Sequence, residues 1–380
     1  MTNGTQMKSL ASPLRVLAFE SFDAGSHRQT RRAVETHCHL DWRWLTLPGR
    51  GWKWRMRTGA AELAAQVRVA AEEGKWGDWR PDVVFATSLI SLGDLIAQLP
   101  RAWRTAVSVL YMHENQLVYP VRPEHAAEDD RDLQFAVTNL MSMLAADRVL
   151  FNSRWNRDSF LDGIGREAGR SPEGALKRIG ADLRTRSEVV WPPVELPMTS
   201  EPPSGTPRRV LHNAPVVVWP HRWEHDKGPD ELLEIARRMR GRTAVKWVLL
   251  GERFRIVPEA MERFLEEFED DILHCGRIDD RDEYLAMLGS CDWVLSTASH
   301  EFFGIAVVEA MWMGCMPWLP GRLSYPELVP AGCIGLTPED PPEGPGGLVE
   351  SIRRHLGPCR SKEAVRRIEG EIVAAYESSV

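Results

Sequence analysis

Residues 215–240 read PVVVWPHRWEHDKGPDELLEIARRMR. The run PVVVWP (215–220) is continuously apolar rather than alternating, as in a parallel strand buried on both faces. PDELLEIARRMR (229–240) reads as a helix, with proline at its first position. Strand, charged turn and helix together make one unit of a doubly wound sheet. The pattern repeats downstream. VKWVLLGE (245–252), ILHCGRI (272–278) and WVLSTA (293–298) read as strands. PEAMERFLEEFED (258–270) and DEYLAMLG (282–289) read as helices. It also repeats upstream. LRVLAFE (14–20), WLTL (44–47), DVVFATS (82–88), AVSVLYMHE (106–114) and DRVLFNS (147–153) read as strands, with helical stretches at 60–74 and 132–146. This alternation predicts an α/β chain with two doubly wound, Rossmann-like domains.

WPPVELPMTSEPPSGTPR (191–208) carries six prolines and reads as the linker between them. The expected division is therefore 1–190, a linker at 191–208, a second domain at 209–357 and a C-terminal segment at 358–380. Within that last segment, SKEAVRRIEGEIVAAYESS (361–379) reads as an amphipathic helix. Composition agrees: 380 residues, 43% apolar and 27% charged, suit a soluble globular protein with two cores. No apolar run approaches the ~20 residues that span a bilayer. The opening MTNGTQMKSLASP is too polar for a signal peptide. Six scattered cysteines without a C-x-x-C pair argue against a zinc site or a disulfide framework. These features predict a cytoplasmic protein with no membrane partner. The net charge of −7 speaks mildly against nucleic acid, although a local basic patch suffices for phosphate contacts.

Five stretches carry candidate chemistry. HEFFGIAVVEAMWMGCMPWLP (300–320) places Glu301 and Glu309 around Gly304. A helix starting near Phe303 puts Glu301 on the strand-to-helix turn. The amides of Phe303, Gly304 and Ile305 then face an anion. Glu309 lies over a turn into an otherwise apolar helix, where a carboxylate needs a partner. Such a glutamate either holds ribose hydroxyls or sits on a solvated helix face. In PHRWEHDKGPDEL (220–232), Arg222 and Lys227 follow a strand and suit a diphosphate. Equally, Glu224 and Asp226 make this an ordinary charged loop. MHENQLVYP (112–120) groups His113, Glu114 and Asn115 after a strand, as a sugar grip or as a structural histidine with polar neighbours. ESFDAGSHRQ (20–29) lacks G-x-G-x-x-G, so no dinucleotide site is supported. Its Gly25, Ser26 and His27 suit a phosphate, an acceptor or a plain turn. LPGRGWKWRMRTGA (47–60) interleaves Arg50, Lys53, Arg55 and Arg57 with Trp52 and Trp54. It is either a nucleic-acid contact or a solvated loop anchored by tryptophan.

Together these stretches resemble glycosyltransferase family 4. ESFDAGSHRQ, LPGRGWKWRMRT, MHENQLVYP, WPHRWEHDKGPDEL and SHEFFGIAVVEAMWMGCMPWLP are more specifically similar to the tRNA-queuosine mannosyltransferase family. The resemblance spans about residues 14 to 330, while 331–357 matches nothing. It implies a GT-B architecture, two Rossmann-like domains facing a central cleft. It implies a retaining transfer of mannose from GDP-mannose to the cyclopentenediol of queuosine in tRNA(Asp). Arg222 and Lys227 are implied to hold the diphosphate, Glu309 the ribose and Glu301 the donor sugar. His113 would lie against the sugar and Gly25 near the phosphates. Arg222, Lys227, Glu301 and His113 are the expected catalytic set. Ser26, His27, Glu114, Asn115 and the basic tryptophan stretch are the expected acceptor side.

No D-x-D ends a strand, and Asp280-Arg281-Asp282 reads as a helix N-cap region. Protein cations thus replace a metal, and no cofactor is expected. Two other readings are a family-4 transferase acting on a lipid or small glycoside, and a non-catalytic RNA-binding protein on the same fold.

Overall fold

The computed structural model describes residues 12–119, 129–168, 178–197, 214–342 and 344–379. The chain forms two compact units. The first comprises Met1–Glu195 and Cys359–Val380, the second Leu196–Pro358.

In the first unit, β1 (Arg15–Asp23), β2 (Asp41–Pro48), β3 (Val83–Thr87), β4 (Val107–Met112), β5 (Arg148–Phe151) and β6 (Ser187–Val189) form one parallel sheet. Their order is β2-β1-β3-β4-β5-β6. The crossovers carry α1 (Gly25–His37), α2 (Trp52–Glu72), α3 (Leu92–Gln98), α4 (Asp129–Ala145), α5 (Arg154–Ala168) and α6 (Ile179–Thr185). The continuous apolar run of β1 has a physical reason. Leu17 and Phe19 enter one core layer, while Val16 and Ala18 enter another on the opposite face.

In the second unit, β7 (Val216–Pro220), β8 (Lys246–Leu250), β9 (Ile272–Gly276), β10 (Trp293–Leu295) and β11 (Met316–Trp318) are again parallel, in the order β11-β10-β7-β8-β9. They alternate with α7 (Pro229–Arg240), α8 (Glu259–Glu267), α9 (Arg281–Ser290), α10 (Ile305–Trp312) and α11 (Tyr325–Leu328), followed by α12 (Pro345–Leu356). Helix α7 spans the residues its sequence predicts. Pro229 opens it, Asp230 and Glu231 fill its first turn, and Arg237, Arg238 and Arg240 its last, matching the helix dipole. Helix α12 occupies the stretch for which the sequence offered no reading.

The last helix, α13 (Ser361–Ser379), packs into the first unit. Ile368 and Ile372 are fully buried against Val16, Phe85 and Leu150. Burial on this scale contributes roughly 2 kcal/mol per side chain. The buried Glu369 carboxylate accepts from the backbone N–H groups of His39 and Leu40 and from Trp42 Nε1, at 2.9–3.1 Å. Of the proline-rich stretch, Trp191–Glu195 belongs to the first unit, and 198–208 lie outside the described residues. No helix among the described residues is long and apolar enough to cross a membrane.

Candidate functional site

In open parallel sheets, ligands bind beyond the carboxyl ends of strands where the strand order reverses. In the second unit that point lies between β7 and β10. The loops leaving these two strands are tied together. The Asp226 carbonyl accepts from the amides of Ser299 and His300, and Thr297 Oγ1 donates to the Lys227 carbonyl at 2.8 Å. Gly228 permits the approach. Its φ is +70°, and a Cβ there would stand 2.1 Å from the Thr297 carbonyl oxygen.

This stitching brings Lys227 to Glu301. The buried ammonium donates to the His300 carbonyl at 2.9 Å and to Glu301 Oε2 at 3.4 Å, and lies 3.1 Å from Asp226 Oδ2. Burial opposes the charge on Lys227, but Glu301 and Asp226 override it and raise its pKa. Burial likewise works against the Glu301 carboxylate, yet Lys227 foremost, with the neighbouring histidines and the Phe303 amide, holds it at about 2. Burial and the Lys227 charge depress His221 to about 3 and His300 to about 4. The cluster is thus an ionised pair ringed by neutral imidazoles. His221 Nε2 meets Ser296 Oγ at 2.9 Å, and Ser296 Oγ meets the Tyr325 hydroxyl at 2.6 Å.

Arg222 leaves the same strand end with its side chain half exposed and its guanidinium 3.1 Å from Glu224. It is the more accessible of the two expected cations. Glu309 is buried one turn into α10, where Arg281 (2.7 Å) and the Tyr284 hydroxyl (3.1 Å) meet it. The partner that a carboxylate on this apolar helix requires is therefore Arg281, which the sequence presents only as part of a helix start. Asp280 caps that helix by accepting from the Glu283 amide at 2.9 Å.

One expectation changes. Helix α10, expected to start near Phe303, begins two residues later at Ile305, with Gly304 as N-cap at φ +94°, and this changes which amides face an anion. The Phe302 and Phe303 amides point at Glu301 Oε1, at 3.1 and 3.4 Å. Only Ile305 of the expected anion-facing amides lies in the first turn, whose N–H groups have no acceptor within the helix. A hollow of about 720 Å³ opens at the other edge of this sheet, lined by Pro215, Asp292, Met316 and Arg353, among others. It lies at the strand starts, away from Lys227.

In the first unit, order reverses between β1 and β3. There the structure assembles a group whose organising member the sequence did not flag. Glu20, the last residue of β1 before its pairing with β2 shifts register, is fully buried and accepts from His27 Nδ1 at 3.0 and 3.1 Å and from the Phe22 amide at 2.8 Å. The signal was a carboxylate ending an apolar strand, seven residues before a histidine at a helix start. The His27 ring lies 4.1 Å from that of His113, centroid to centroid. Buried His113 is fixed by its backbone, with its amide donating to Ser88 Oγ and its carbonyl accepting from Asn152 Nδ2. Neither of its ring nitrogens has a hydrogen-bond partner among the described residues, nor does His27 Nε2. A buried polar atom left unpaired costs about 1–3 kcal/mol, so these three nitrogens are an outlay a ligand can recover. Gly25 opens α1 at φ +50° with open space above it, beside half-buried Ser26.

Two acceptor-side expectations are corrected. Asn115 is wholly buried. Its amide binds Asn156 and Ser159, and its carbonyl oxygen takes the amides of Leu117 and Val118. It shapes the loop and has no face for a substrate. Beside it, half-buried Glu114 receives Gln116 Nε2 at 2.8 Å. The basic tryptophan stretch is largely helix, because α2 begins at Trp52. Helical periodicity turns Arg55 inward to Glu62 (3.0 Å) and the Pro48 carbonyl. Trp52 packs on Phe135 and Tyr119. Trp54 remains 63% exposed, with Arg57 over its ring, and Arg50 and Lys53 are exposed.

Known proteins match most of the chain. Residues 15–194 match the family model described as tRNA-queuosine alpha-mannosyltransferase N-terminal, and 208–328 that of glycosyl transferases group 1. The tRNA-queuosine alpha-mannosyltransferase of Drosophila melanogaster is 36% identical over 328 residues, covering 85% of this chain and 83% of its own. Among solved structures, the Candida albicans trehalose-6-phosphate phosphatase N-terminal domain superposes with a TM-score of 0.68 at 12% identity, covering 99% of both chains. Anabaena HepE in complex with UDP superposes at 0.55 and 16% identity, covering 96% of this chain and 98% of its own. The solved structures show the fold, which is GT-B. The matches in sequence reach further, and by them the chain belongs to the tRNA-queuosine alpha-mannosyltransferase family.

Proposed function

We propose that the protein transfers mannose from GDP-mannose to queuosine in tRNA(Asp), with retention of configuration and without a metal. The observation that carries the reading is the Lys227–Glu301 pair at the β7/β10 switch point, with Arg222 on the same strand end and Glu309 one turn into the adjoining helix. Breaking the anomeric C–O bond builds negative charge on the departing phosphate and positive charge on the sugar. Arg222, Lys227 and the first turn of α10 stabilise the former, a contribution of about 3–4 kcal/mol per well-placed donor. Glu301, held ionised, serves the donor sugar. Glu309, steadied by Arg281, takes the ribose hydroxyls. The leaving phosphate accepts the acceptor's proton on the same face.

Fixed protein cations support metal independence, and no cofactor enters the reaction. On the acceptor side, Arg50, Lys53, Trp54 and Arg57 present positive charge and an exposed ring, the chemistry that binds phosphates and unpaired bases. An abundant cytoplasmic RNA as substrate fits a cytoplasmic location. The test is to incubate the protein with a panel of nucleotide sugars and with queuosine-containing or queuosine-free tRNA. Mass spectrometry of the digested nucleosides is expected to show a hexose on queuosine with GDP-mannose alone. Hexose addition that ignores queuosine, or none with any donor, overturns the reading.

A further inference from the structure

The segment after β11 turns back onto the loop that carries Glu301. Arg322 starts the contact. Its Nε and Nη2 donate to the carbonyls of Ala298 and Thr297 at 3.0 Å each, and Nη2 also donates to Glu231 at 2.6 Å. Leu323 follows at φ +59°, a left-handed conformation that L side chains avoid and that persists only where the surroundings impose it. Beyond it, two fully buried side chains, Ser324 and Tyr325, reach the loop. Ser324 Oγ donates to the Phe303 carbonyl at 2.9 Å. The Tyr325 ring lies against Gly304, where a Cβ would stand 3.3 Å from its Cε1.

The Tyr325 hydroxyl is itself held. It meets Ser296 Oγ at 2.6 Å, and that oxygen meets His221 Nε2 at 2.9 Å and the Ala298 amide at 3.3 Å. A serine hydroxyl has one proton and two lone pairs. Ser296 gives its proton to neutral His221 and accepts from Tyr325 and Ala298, so each buried hydroxyl proton of this chain has an acceptor. The contacts end one residue before Arg222.

Together they fix the plane of one peptide. The Phe303 carbonyl and the Gly304 N–H belong to the same planar unit and point in opposite directions. Glycine takes either sign of φ with similar ease, so Gly304, at +94°, would let this peptide turn over. The bond from Ser324 selects one of the two orientations. The Gly304 N–H has no acceptor among the described residues and stands beside Ile305 at the N-terminus of α10, where an amide suits an anion.

We propose that Ser324 and Tyr325 are positioning residues for the transfer. Ser324 holds the Phe303–Gly304 peptide with its N–H free for the departing phosphate, and Tyr325, anchored through Ser296 to His221, holds Ser324 in place. The role rests on the reading of the β7/β10 switch point as the donor site.

The test labels the full chain with ¹³C at phenylalanine carbonyls and ¹⁵N at glycine. Phe303–Gly304 is the only Phe-Gly step in the sequence, so one amide signal reports on this peptide alone. In the free protein, Ser324→Ala is expected to move or split that signal. GDP, with UDP beside it, is expected to shift the wild-type signal downfield, and the shift is expected to shrink in Ser324→Ala. In steady state, Ser324→Ala is expected to lower kcat about tenfold, with a smaller change in donor KM and none in acceptor KM. Tyr325→Phe keeps the ring and removes the hydroxyl, and is expected to cause the same changes in smaller measure.

A Gly304 signal that stays still while calorimetry shows nucleotide binding overturns the proposal. So does a Ser324→Ala signal identical to the wild-type one, or a Ser324→Ala protein with wild-type kcat. If Ser324→Ala fails to fold, Tyr325→Phe and the wild-type response to nucleotide decide alone. Absence of calorimetric binding by either nucleotide would count against the donor reading, while the free-protein signal would still decide whether Ser324 sets the peptide.

Discussion

The Lys227 ammonium stands 3.4 Å from Glu301 Oε2, across two loops that leave neighbouring strands at the point where the sheet order reverses. Each residue keeps the other charged in surroundings that disfavour charge. A buried pair of this kind contributes little net stability when intact and is strongly destabilising when half removed.

Lys227→Met is therefore expected to act twice. On the proposed mechanism it removes a cation from the leaving group, and it leaves Glu301 uncompensated. Turnover should fall by about 100–1000-fold, and urea denaturation should show a loss of about 3 kcal/mol. Lys227→Met/Glu301→Gln should recover much of the stability and none of the turnover. Equal stability of the single and double variants would dissolve the coupling.

The same pair gives a pH dependence. The folded-state pKa of Glu301 is depressed to about 2, against ~4.3 in an unfolded chain. Its contribution is fully present above the unfolded value and is lost as pH falls from there through about 2. His221 and His300 are also depressed. They lend stability above the ordinary histidine pKa of ~6.5 and withdraw it as pH falls through about 4 and then 3. Thermal melts from pH 7 to pH 3 should show loss beginning below about pH 6.5, driven by the histidines. His221→Gln should remove part of that early slope.

Arg281→Ala tests the assignment of Glu309. Without the guanidinium, buried Glu309 keeps the Tyr284 hydroxyl as its hydrogen-bond donor. Calorimetric titration with GDP should show affinity weakened about tenfold, or ~1.4 kcal/mol. Unchanged affinity would remove Glu309 from the nucleotide site.

Helix α2 separates two roles that the sequence presents as one run of basic residues. Trp54→Ala should weaken tRNA binding by about 1–3 kcal/mol, the usual worth of a base stacked on an aromatic ring. Its melting temperature should not move, because the ring is 63% exposed. Arg50→Ala/Lys53→Ala/Arg57→Ala should reduce the slope of log affinity against log salt by ~2–3. Arg55→Met should spare the salt slope and lower stability, since its guanidinium serves Glu62 and the Pro48 carbonyl.

What the sequence makes legible follows from locality. Strands β1, β3, β4, β7 and β8 are apolar on both faces, so residue type announces them. Strands β6 (Ser187–Val189) and β11 (Met316–Trp318) are three residues each and carry a glutamate and a proline at their centres, so no apolar run marks them as it marks β10. Helix α1 reads GSHRQTRRAVETH, largely polar, and only its inward face of His27, Thr30, Ala33 and Val34 is buried. Arg222, Lys227, Glu301 and Glu309 stand out as charges at strand ends and on an apolar helix. Arg281 and Glu20 do not, because their partners are reached only by folding.

The clearest such case is Glu369, whose hydrogen-bond donors lie 327–330 residues away in the chain. Its carboxylate is buried and takes two backbone amides and an indole N–H, so α13 is bound to the first unit by polar contacts as well as apolar ones. Glu369→Ala removes the acceptor from three donors that water cannot readily reach. Each unpaired buried group costs about 1–3 kcal/mol, partly relieved where the cavity admits solvent. Urea denaturation should show a loss of about 3 kcal/mol. Hydrogen exchange should quicken at His39, Leu40 and along α13, while the second unit keeps its protection and the GDP affinity proposed for it. Loss of GDP binding in this variant would mean that the first unit's integrity governs the nucleotide site. Normal exchange at residues 39 and 40 would mean that the carboxylate does not hold the helix.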